Sequence, residues 1–164
     1  MPFKVLMMLY NTMILPHLSY CNIVWGNCGI TILNRLFILQ KRAIRVMCNV
    51  PPLSHSSPLF KKTNILTVYQ INQLQVAIFM YSYFKGILPK SFNDVFTKNS
   101  AIHSYSTRAQ GNLRLPLLKY NFSKTTIVFI GSKCWNSIPD ELKSCPSLSA
   151  FKRKCKAYIL RVDS

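Results

Sequence analysis

The stretch LNRLFILQKRAIRVMC, Leu33 to Cys48, has the pattern that decides the fold of this chain. At about 100° per residue, an α-helix gathers its cationic side chains within roughly a third of the circumference. Apolar residues cover the opposite arc, which is typical of a helix buried on one side. Two residues depart from the pattern: Ile38 lies among the cations, and Gln40 lies in the middle of the apolar arc. Because an unpaired buried amide costs about 1 kcal/mol or more, we expect hydrogen-bond partners for Gln40.

The cationic arc of this helix consists of Arg35, Lys41, Arg42 and Arg45. Two interpretations of the arc are open. In the first, it is only the solvated face of a core helix. In the second, a rigid helix presents guanidinium and ammonium groups to the phosphates of a nucleic acid.

The charge of the whole chain favours a polyanionic partner. The 164 residues include 21 Lys and Arg against 4 Asp and Glu, for a net charge of +17. The carboxylates are Asp94, Asp140, Glu141 and Asp163, so the first 93 residues contain none. Because a soluble domain normally mixes both signs on its surface, this excess indicates nucleic acid in preference to an acidic membrane. It also suggests a segment of a larger chain that carries compensating acids.

The sequence lacks the patterns of common catalytic and metal sites. Four scattered acids do not form the carboxylate cluster of two-metal nucleotidyl transfer, and no Gly-rich phosphate loop or G-x-S-x-G motif is present. The six cysteines form no C-x-x-C pair, and the three histidines complete no zinc pattern. We therefore expect no metal or cofactor, and thiols in a reducing compartment, the nucleus or the cytoplasm.

The first 26 residues predict two helical pieces. An amphipathic helix is expected from Phe3 to Leu15, broken or kinked at Pro16. A second piece is expected from His17 to Trp25, ending at Gly26. The stretch Val5–Trp25 has the length of a membrane span. Because its polar residues are spread along it, we expect no span and no membrane partner.

Periodicity and breakers predict a mainly α fold for the rest of the chain. The second strong helix is expected from Thr67, as N-cap, to Phe84, with Gly86 as its stop. Its apolar residues recur at helical spacing without any charge, so it should be buried on most sides. Two later helices are expected, one over Thr125–Ile138 and one that begins at Ser147 and closes the chain.

The segment from 88 to 124 is irregular and contains several helix breakers. Two short strands are expected in it, near Ile102–Thr107 and Leu113–Leu117. A segment of this length is usually functional or packs on a partner. For Tyr105 and Arg108, a role in binding nucleic acid and a purely structural role are both open.

Binding that follows a nucleic acid backbone requires cations on rigid helices. Three groups of cations outside the arc are further candidates: a lysine pair, an arginine in the irregular segment, and a cluster in the last helix. The residues are Lys61 and Lys62; Arg108; and Lys152, Arg153, Lys154 and Lys156.

Eight motifs follow one another across nearly the whole chain. They are LYNTMILPHLSYCNIVWGN (Leu9–Asn27), LQKRAIRVM (Leu39–Met47), PLFKKTNIL (Pro58–Leu66), QINQLQVAIFMYSYFKGILP (Gln70–Pro89), IHSYSTR (Ile102–Arg108), LPL (Leu115–Leu117), GSKCWNSIP (Gly131–Pro139) and SLSAFKRKCKAYIL (Ser147–Leu160). Each motif alone has low specificity. Their order strongly resembles the C-terminal region of jockey-like non-LTR (LINE-type) retrotransposon reverse transcriptases, just downstream of the catalytic palm.

This resemblance implies both an architecture and a role. Residues 1–90 would form a thumb-like helical bundle, and residues 91–164 a less regular basic region that ends in a helix. In a full-length RNA-directed DNA polymerase, such a region would hold the template–primer duplex of RNA and DNA through its phosphate backbone. Its other partner would be the remainder of the polymerase chain.

The chain also departs from the family. The aromatic-Ala-Asp-Asp turn of the palm is absent, as is the upstream aspartate, and the Mg²⁺ of such a palm would belong to that absent part. Ser132 and Cys134 stand where the family often has Pro and an aliphatic residue. We therefore expect a remnant without catalysis, either a truncated element or a gene whose upstream part was missed. Two alternatives stay open: a standalone basic nucleic-acid-binding protein, and a membrane-associated protein anchored through Val5–Trp25.

Overall fold

The computed structural model describes residues 1–102, 110–117 and 119–162. Within these residues the chain is mainly α-helical, as predicted, and its β-type pairing is limited to one isolated antiparallel bridge. The chain forms two compact units, one of Met1–Gln75 with Ala157–Ser164 and the other of Val76–Lys156. The predicted functional division into residues 1–90 and 91–164 stays a prediction.

The first unit consists mostly of helices from the N-terminal half of the chain. They are α1 (Phe3–Leu9), a π-helical segment (Tyr10–Ile14), α2 (Leu15–Ser19), α3 (Asn22–Trp25), α4 (Ile30–Met47), α5 (Ser57–Thr63) and the beginning of α6 (Val68–Phe84). The last residues of α9 (Leu148–Val162) also belong to it.

Of the break or kink predicted at Pro16, the break is wrong, because the chain stays helical through this residue. A proline ring collides with the carbonyl four residues earlier in a regular α-helix. Here the preceding segment is π-helical, with the N–H of Leu15 bonded to the carbonyl of Tyr10, and the wider turn accommodates the ring. The actual break follows at Tyr20, which is extended, and Cys21, whose φ is +47°.

Gly26 ends α3, as predicted, and it also permits a close approach. The side chain of Asn22 is buried and accepts a hydrogen bond of 3.0 Å from Nδ2 of Asn72. A Cβ at Gly26 would collide with that same Asn72 amide. The glycine therefore gives the two asparagines room to pair.

Gln40 connects three parts of the first unit. Its side chain is 2% exposed. Nε2 donates to the hydroxyl of Tyr10 at 2.8 Å and to the carbonyl of Leu66 at 2.8 Å, and Oε1 accepts from the N–H of Val68 at 2.9 Å. The expectation that this amide would be hydrogen-bonded is confirmed. Around it lie the buried apolar residues of the unit, Tyr10, Ile44, Met47, Phe60 and Ile65.

The start of α6 confirms Thr67 as its N-cap. Oγ1 of Thr67 accepts from the N–H of Gln70 at 3.3 Å, and Oε1 of Gln70 accepts from the N–H of Thr67 at 2.9 Å. This reciprocal pair is a capping box, which satisfies N–H groups that a helix start leaves unpaired. The helix has buried residues from Val68 to Ser82, which agrees with the predicted burial on most sides.

The second unit contains the rest of α6, then α7 (Ile127–Ser137), α8 (Asp140–Lys143) and most of α9, with short 3₁₀ turns before α7. Its core combines aliphatic side chains with aromatic rings and thiols. Tyr81 stacks on Phe151 with ring centroids 4.4 Å apart, and Phe84 stacks on Trp135 at 4.7 Å. The hydroxyl of Tyr81 donates to the carbonyl of Cys145 at 2.6 Å.

The predicted strand Leu113–Leu117 is wrong, since the pairing here is limited to an isolated bridge between Leu113 and Lys98 and the adjacent hydrogen bond of 2.8 Å from the N–H of Arg114 to the carbonyl of Thr97. The side-chain amide of Asn136 donates to the carbonyl of Leu113 and accepts from its N–H, both at 2.9 Å. Asn136 thereby satisfies the two backbone groups that a neighbouring strand would use. The other predicted strand lies outside the described residues, apart from Ile102.

Candidate nucleic-acid interface

Helix α4 presents two of its four arc cations directly to solvent. Arg35 and Arg42 are exposed and lie two turns apart on one face of the helix. Neither has a carboxylate partner among the described residues. Because the helix is anchored through Gln40 and Ile44 on its opposite side, these guanidinium groups stand on a rigid support.

The same exposed face also carries apolar side chains. Ile32, Leu39 and Val46 recur every seven residues and are 58%, 58% and 70% exposed. Ile38, which interrupts the cationic arc in the sequence, is 41% exposed. The face is therefore mixed in chemistry, with two arginines flanked by aliphatic residues.

Arg45 is held in place by the chain that follows α4. Its side chain is partly buried, and Nε donates to the carbonyl of Ser54 at 2.8 Å. The bond ties the Pro- and Ser-rich connector between α4 and α5, residues 48–56, to the end of α4. Sequence reasoning placed Arg45 in the phosphate-binding arc, and the structure adds this contact within the protein.

Lys41 lies over an aromatic ring. Its ammonium nitrogen is 4.1 Å from the ring centroid of Phe37, one turn earlier on α4, a cation–π distance. Phe37 in turn contacts Phe60 and Tyr69, with centroids 5.8 and 5.3 Å away. The ammonium of Lys41 is therefore placed beside an aromatic cluster.

A cleft in the first unit brings Lys41 and Lys61 together. It has a volume of about 410 Å³ and lies among α4, the connector, α5 and the capping box of α6. Phe37, Phe60 and Ile65 contribute its apolar wall, and His55 and Ser57 contribute polar groups. No carboxylate lines it among the described residues.

The lysine pair predicted from the sequence is divided by the structure. Lys61 lines the cleft just described, whereas Lys62 lines a separate groove together with Phe3, Leu6 and Val46. Successive residues of a helix point about 100° apart, which explains the division. The two lysines therefore lie on different surfaces of α5.

The residues of the basic cluster of α9 are all exposed. Lys152, Arg153, Lys154 and Lys156 surround the buried Phe151 and Cys155, and none of them has a carboxylate partner among the described residues. Ser147 caps this helix, with Oγ accepting from the N–H of Ala150 at 3.3 Å. The predicted start of the last helix is thus confirmed. Arg108 lies outside the described residues.

Three contributors to the cleft were missed by sequence reasoning: His55, Phe37 and Phe60. The i, i+4 spacing of Phe37 and Lys41 was a usable signal, because such residues are neighbours on a helix surface. His55 had no comparable signal, since a bend of the connector brings it to the cleft.

The six cysteines are all free thiols, and two of them lose their proton only at high pH. Burial raises the pKa of Cys134 to about 11 and that of Cys155 to about 12. In the described part of the chain, no group of three or more His, Cys, Asp or Glu side chains is arranged to hold a metal ion. Among the same residues, no helix has both the length and the apolar character needed to cross a membrane.

Comparison of this chain with protein-family models, with curated proteins and with solved structures found no match. The resemblance to non-LTR reverse transcriptases therefore rests on the eight sequence motifs.

Proposed function

We propose that this chain binds the phosphate backbone of nucleic acid duplexes, as the C-terminal region of a jockey-like non-LTR retrotransposon reverse transcriptase without its catalytic palm. The observation that carries the proposal is a set of exposed cations on well-supported helices, in a chain whose first 93 residues have no carboxylate. In its parent polymerase the region would hold the template–primer.

The arginines of α4 and the cluster of α9 are the main contacts of this proposal. Both groups are exposed and have no carboxylate partner among the described residues, so a phosphate can approach them. Contacts of this kind position a duplex without reading its sequence. Binding should therefore be nearly independent of sequence and strongly weakened by salt.

The test is fluorescence anisotropy with a labelled duplex over a salt series. Each phosphate contact contributes a log–log slope of about −0.9, so Arg35→Gln with Arg42→Gln should flatten the slope by about two units. Replacing the four cations of the α9 cluster should flatten it by about three to four units. The matched control is Lys90→Gln with Lys133→Gln, which removes two exposed charges elsewhere and should change the slope by much less.

Equal slopes for the α4 variant and its control would contradict the assignment of α4 and leave that arc as a solvated face. Unchanged slopes in both the α4 and the α9 variants would contradict backbone binding by these helices altogether.

The polymerase ancestry has tests of its own. Purified protein with primer, template, dNTPs and Mg²⁺ should give no extension, because the paired aspartates of the palm are absent from the chain. Translation of the genomic DNA upstream of Met1 in all three frames should reveal a palm with those aspartates. Unrelated upstream sequence would favour the second candidate, a standalone binding protein that uses the same basic faces.

A further inference from the structure

The cleft of the first unit combines a cationic side with an aromatic one. At about 410 Å³ it falls within the size range of small-molecule sites, roughly 300–1,000 Å³. A bare phosphate ion would fill only a small part of such a volume. Part of the remaining wall is apolar, formed by Phe37, Phe60 and Ile65, and these side chains offer no hydrogen bond to an anion.

We propose that this cleft binds a single unpaired nucleotide, with its phosphate at Lys41, His55 and Ser57 and its base toward the apolar wall. An ammonium, an imidazole and a hydroxyl are phosphate donors, and Lys61 at the same rim adds positive charge. A planar base gains stacking and apolar contact from the aromatic wall. This site takes in Lys41 of the α4 arc but neither of the two exposed arginines proposed to contact duplex, because Arg35 and Arg42 do not line it.

The position of Lys41 suggests how the two halves of the site cooperate. Without a ligand, its ammonium rests on the Phe37 ring at 4.1 Å. A phosphate at the rim would draw the ammonium toward itself, since a charge-assisted hydrogen bond is stronger than an exposed cation–π contact. The same movement would uncover the face of Phe37 for the base.

The ligand chemistry has two sources, a free nucleotide and the terminal nucleotide of a single strand. Titration calorimetry of the full chain with a nucleoside 5′-monophosphate, the matching nucleoside, inorganic phosphate, and a short single strand with and without a 5′-phosphate separates them. We expect the monophosphate to bind at least about tenfold more tightly than either the nucleoside or phosphate alone, because only it uses both halves of the cleft. A preference for the 5′-phosphorylated strand over the monophosphate would identify strand ends as the source.

Two variants test the location. Lys41→Gln removes the phosphate contact, and Ser57→Phe fills the cleft without changing charge. Each should weaken monophosphate binding about tenfold or more. The Lys90→Gln, Lys133→Gln double variant, which removes two exposed charges that do not line the cleft, should bind it with unchanged affinity. Circular dichroism checks that every variant is folded.

Equal binding of monophosphate and inorganic phosphate, or full binding by folded Ser57→Phe, would overturn the proposal. Because duplex binding is measured separately by its salt slope, the two proposals can fail independently. If the Arg35→Gln, Arg42→Gln variant leaves the salt slope of duplex binding unchanged while the cleft binds the monophosphate as expected, only the duplex assignment is refuted. If the slope flattens as expected but the cleft does not bind the monophosphate, only the nucleotide site is refuted.

Discussion

The two units of this chain are stabilised by different kinds of side chain. In the first unit, one buried amide, Gln40, bonds to a tyrosine hydroxyl and to two backbone groups from separate segments. In the second unit, stacked rings and buried thiols lie in the core among aliphatic side chains, with Phe151 and Cys155 at most 1% exposed. The stability of the first unit should therefore depend on each partner of its buried hydrogen bonds. The stability of the second unit should depend more on how completely its side chains fill the core.

The largest effect should come from removing the amide of the first unit. Gln40→Leu keeps the volume but leaves the Tyr10 hydroxyl, the Leu66 carbonyl and the Val68 N–H without their partner. Since each unsatisfied buried group costs about 1–3 kcal/mol, the free energy of unfolding should fall by about 3–5 kcal/mol. Urea denaturation followed by circular dichroism measures it. Gln73→Leu, on an exposed position of α6, is the matched control and should change stability by less than about 0.5 kcal/mol.

A loss below about 1 kcal/mol for Gln40→Leu would mean that the first unit tolerates an apolar centre as the second does. The comparison between the units would then lose its physical basis.

The second unit contains one amide clamp of its own, which should be weaker. Asn136→Ala frees the N–H and carbonyl of Leu113, but this site is only partly buried, so water replaces some of the lost bonding. We expect a loss of about 1–3 kcal/mol. Lys133→Ala on the exposed side of α7 provides the comparison, with an effect near zero. If Asn136→Ala costs as much as Gln40→Leu, the two units do not differ in this respect.

The contrast between Gln40 and Asn136 also shows how much of the fold can be predicted from the sequence. Helices α4, α6 and α9 follow from periodicity and caps, which are local signals. The need of Gln40 for a partner was also local, but its partners lie 26 to 30 residues away and could not be read from the pattern. The false strand at Leu113 has the same cause, because Asn136, 23 residues later, satisfies its backbone.

For the candidate site, too, the sequence shows local features but not contacts between distant segments. The cationic arc of α4 was visible in the sequence, since helical spacing fixes which side chains share a face. The contact of Arg45 with Ser54 depends on the path of the connector, and so does the position of His55 at the cleft. Composition therefore predicts a polyanionic partner, which stays a prediction, whereas tertiary structure decides which cations face solvent.

Alkaline pH should affect the thiol-containing core of the second unit. The folded pKa values of about 11 for Cys134 and about 12 for Cys155 lie above the ordinary thiol value of 9.0. The unfolded chain therefore loses these protons first as pH rises, and stability that is complete below pH 9 declines between about pH 9 and 12. At pH 10 the loss should be about 3 kcal/mol for the two thiols together, with about half of it from each.

Denaturation at pH 7 and pH 10 under reducing conditions measures this decline, and a Cys134→Ala, Cys155→Ala double variant isolates it. The variant should lose distinctly less stability between the two pH values than the parent chain. Burial also raises the pKa of Tyr10, so the first unit has a loss of the same sign above pH 10, which the variant leaves unchanged. If the free energy of unfolding declines equally in variant and parent, the two thiols do not cause the loss of stability at alkaline pH.

The smallest effects should separate two arginines of the same helix. Arg45 bonds to the Ser54 carbonyl, so Arg45→Gln should lower the free energy of unfolding by about 1 kcal/mol, the value of a typical intramolecular hydrogen bond. Arg42 is exposed, so Arg42→Gln should leave stability within about 0.5 kcal/mol of the parent. On duplex the order reverses: Arg42→Gln should flatten the salt slope by about one unit, and Arg45→Gln by less. Anisotropy and urea melts on the two variants test both halves. Matching slopes would mean that the Ser54 contact does not withhold Arg45 from phosphate, and that residues 41–45 act as one binding arc.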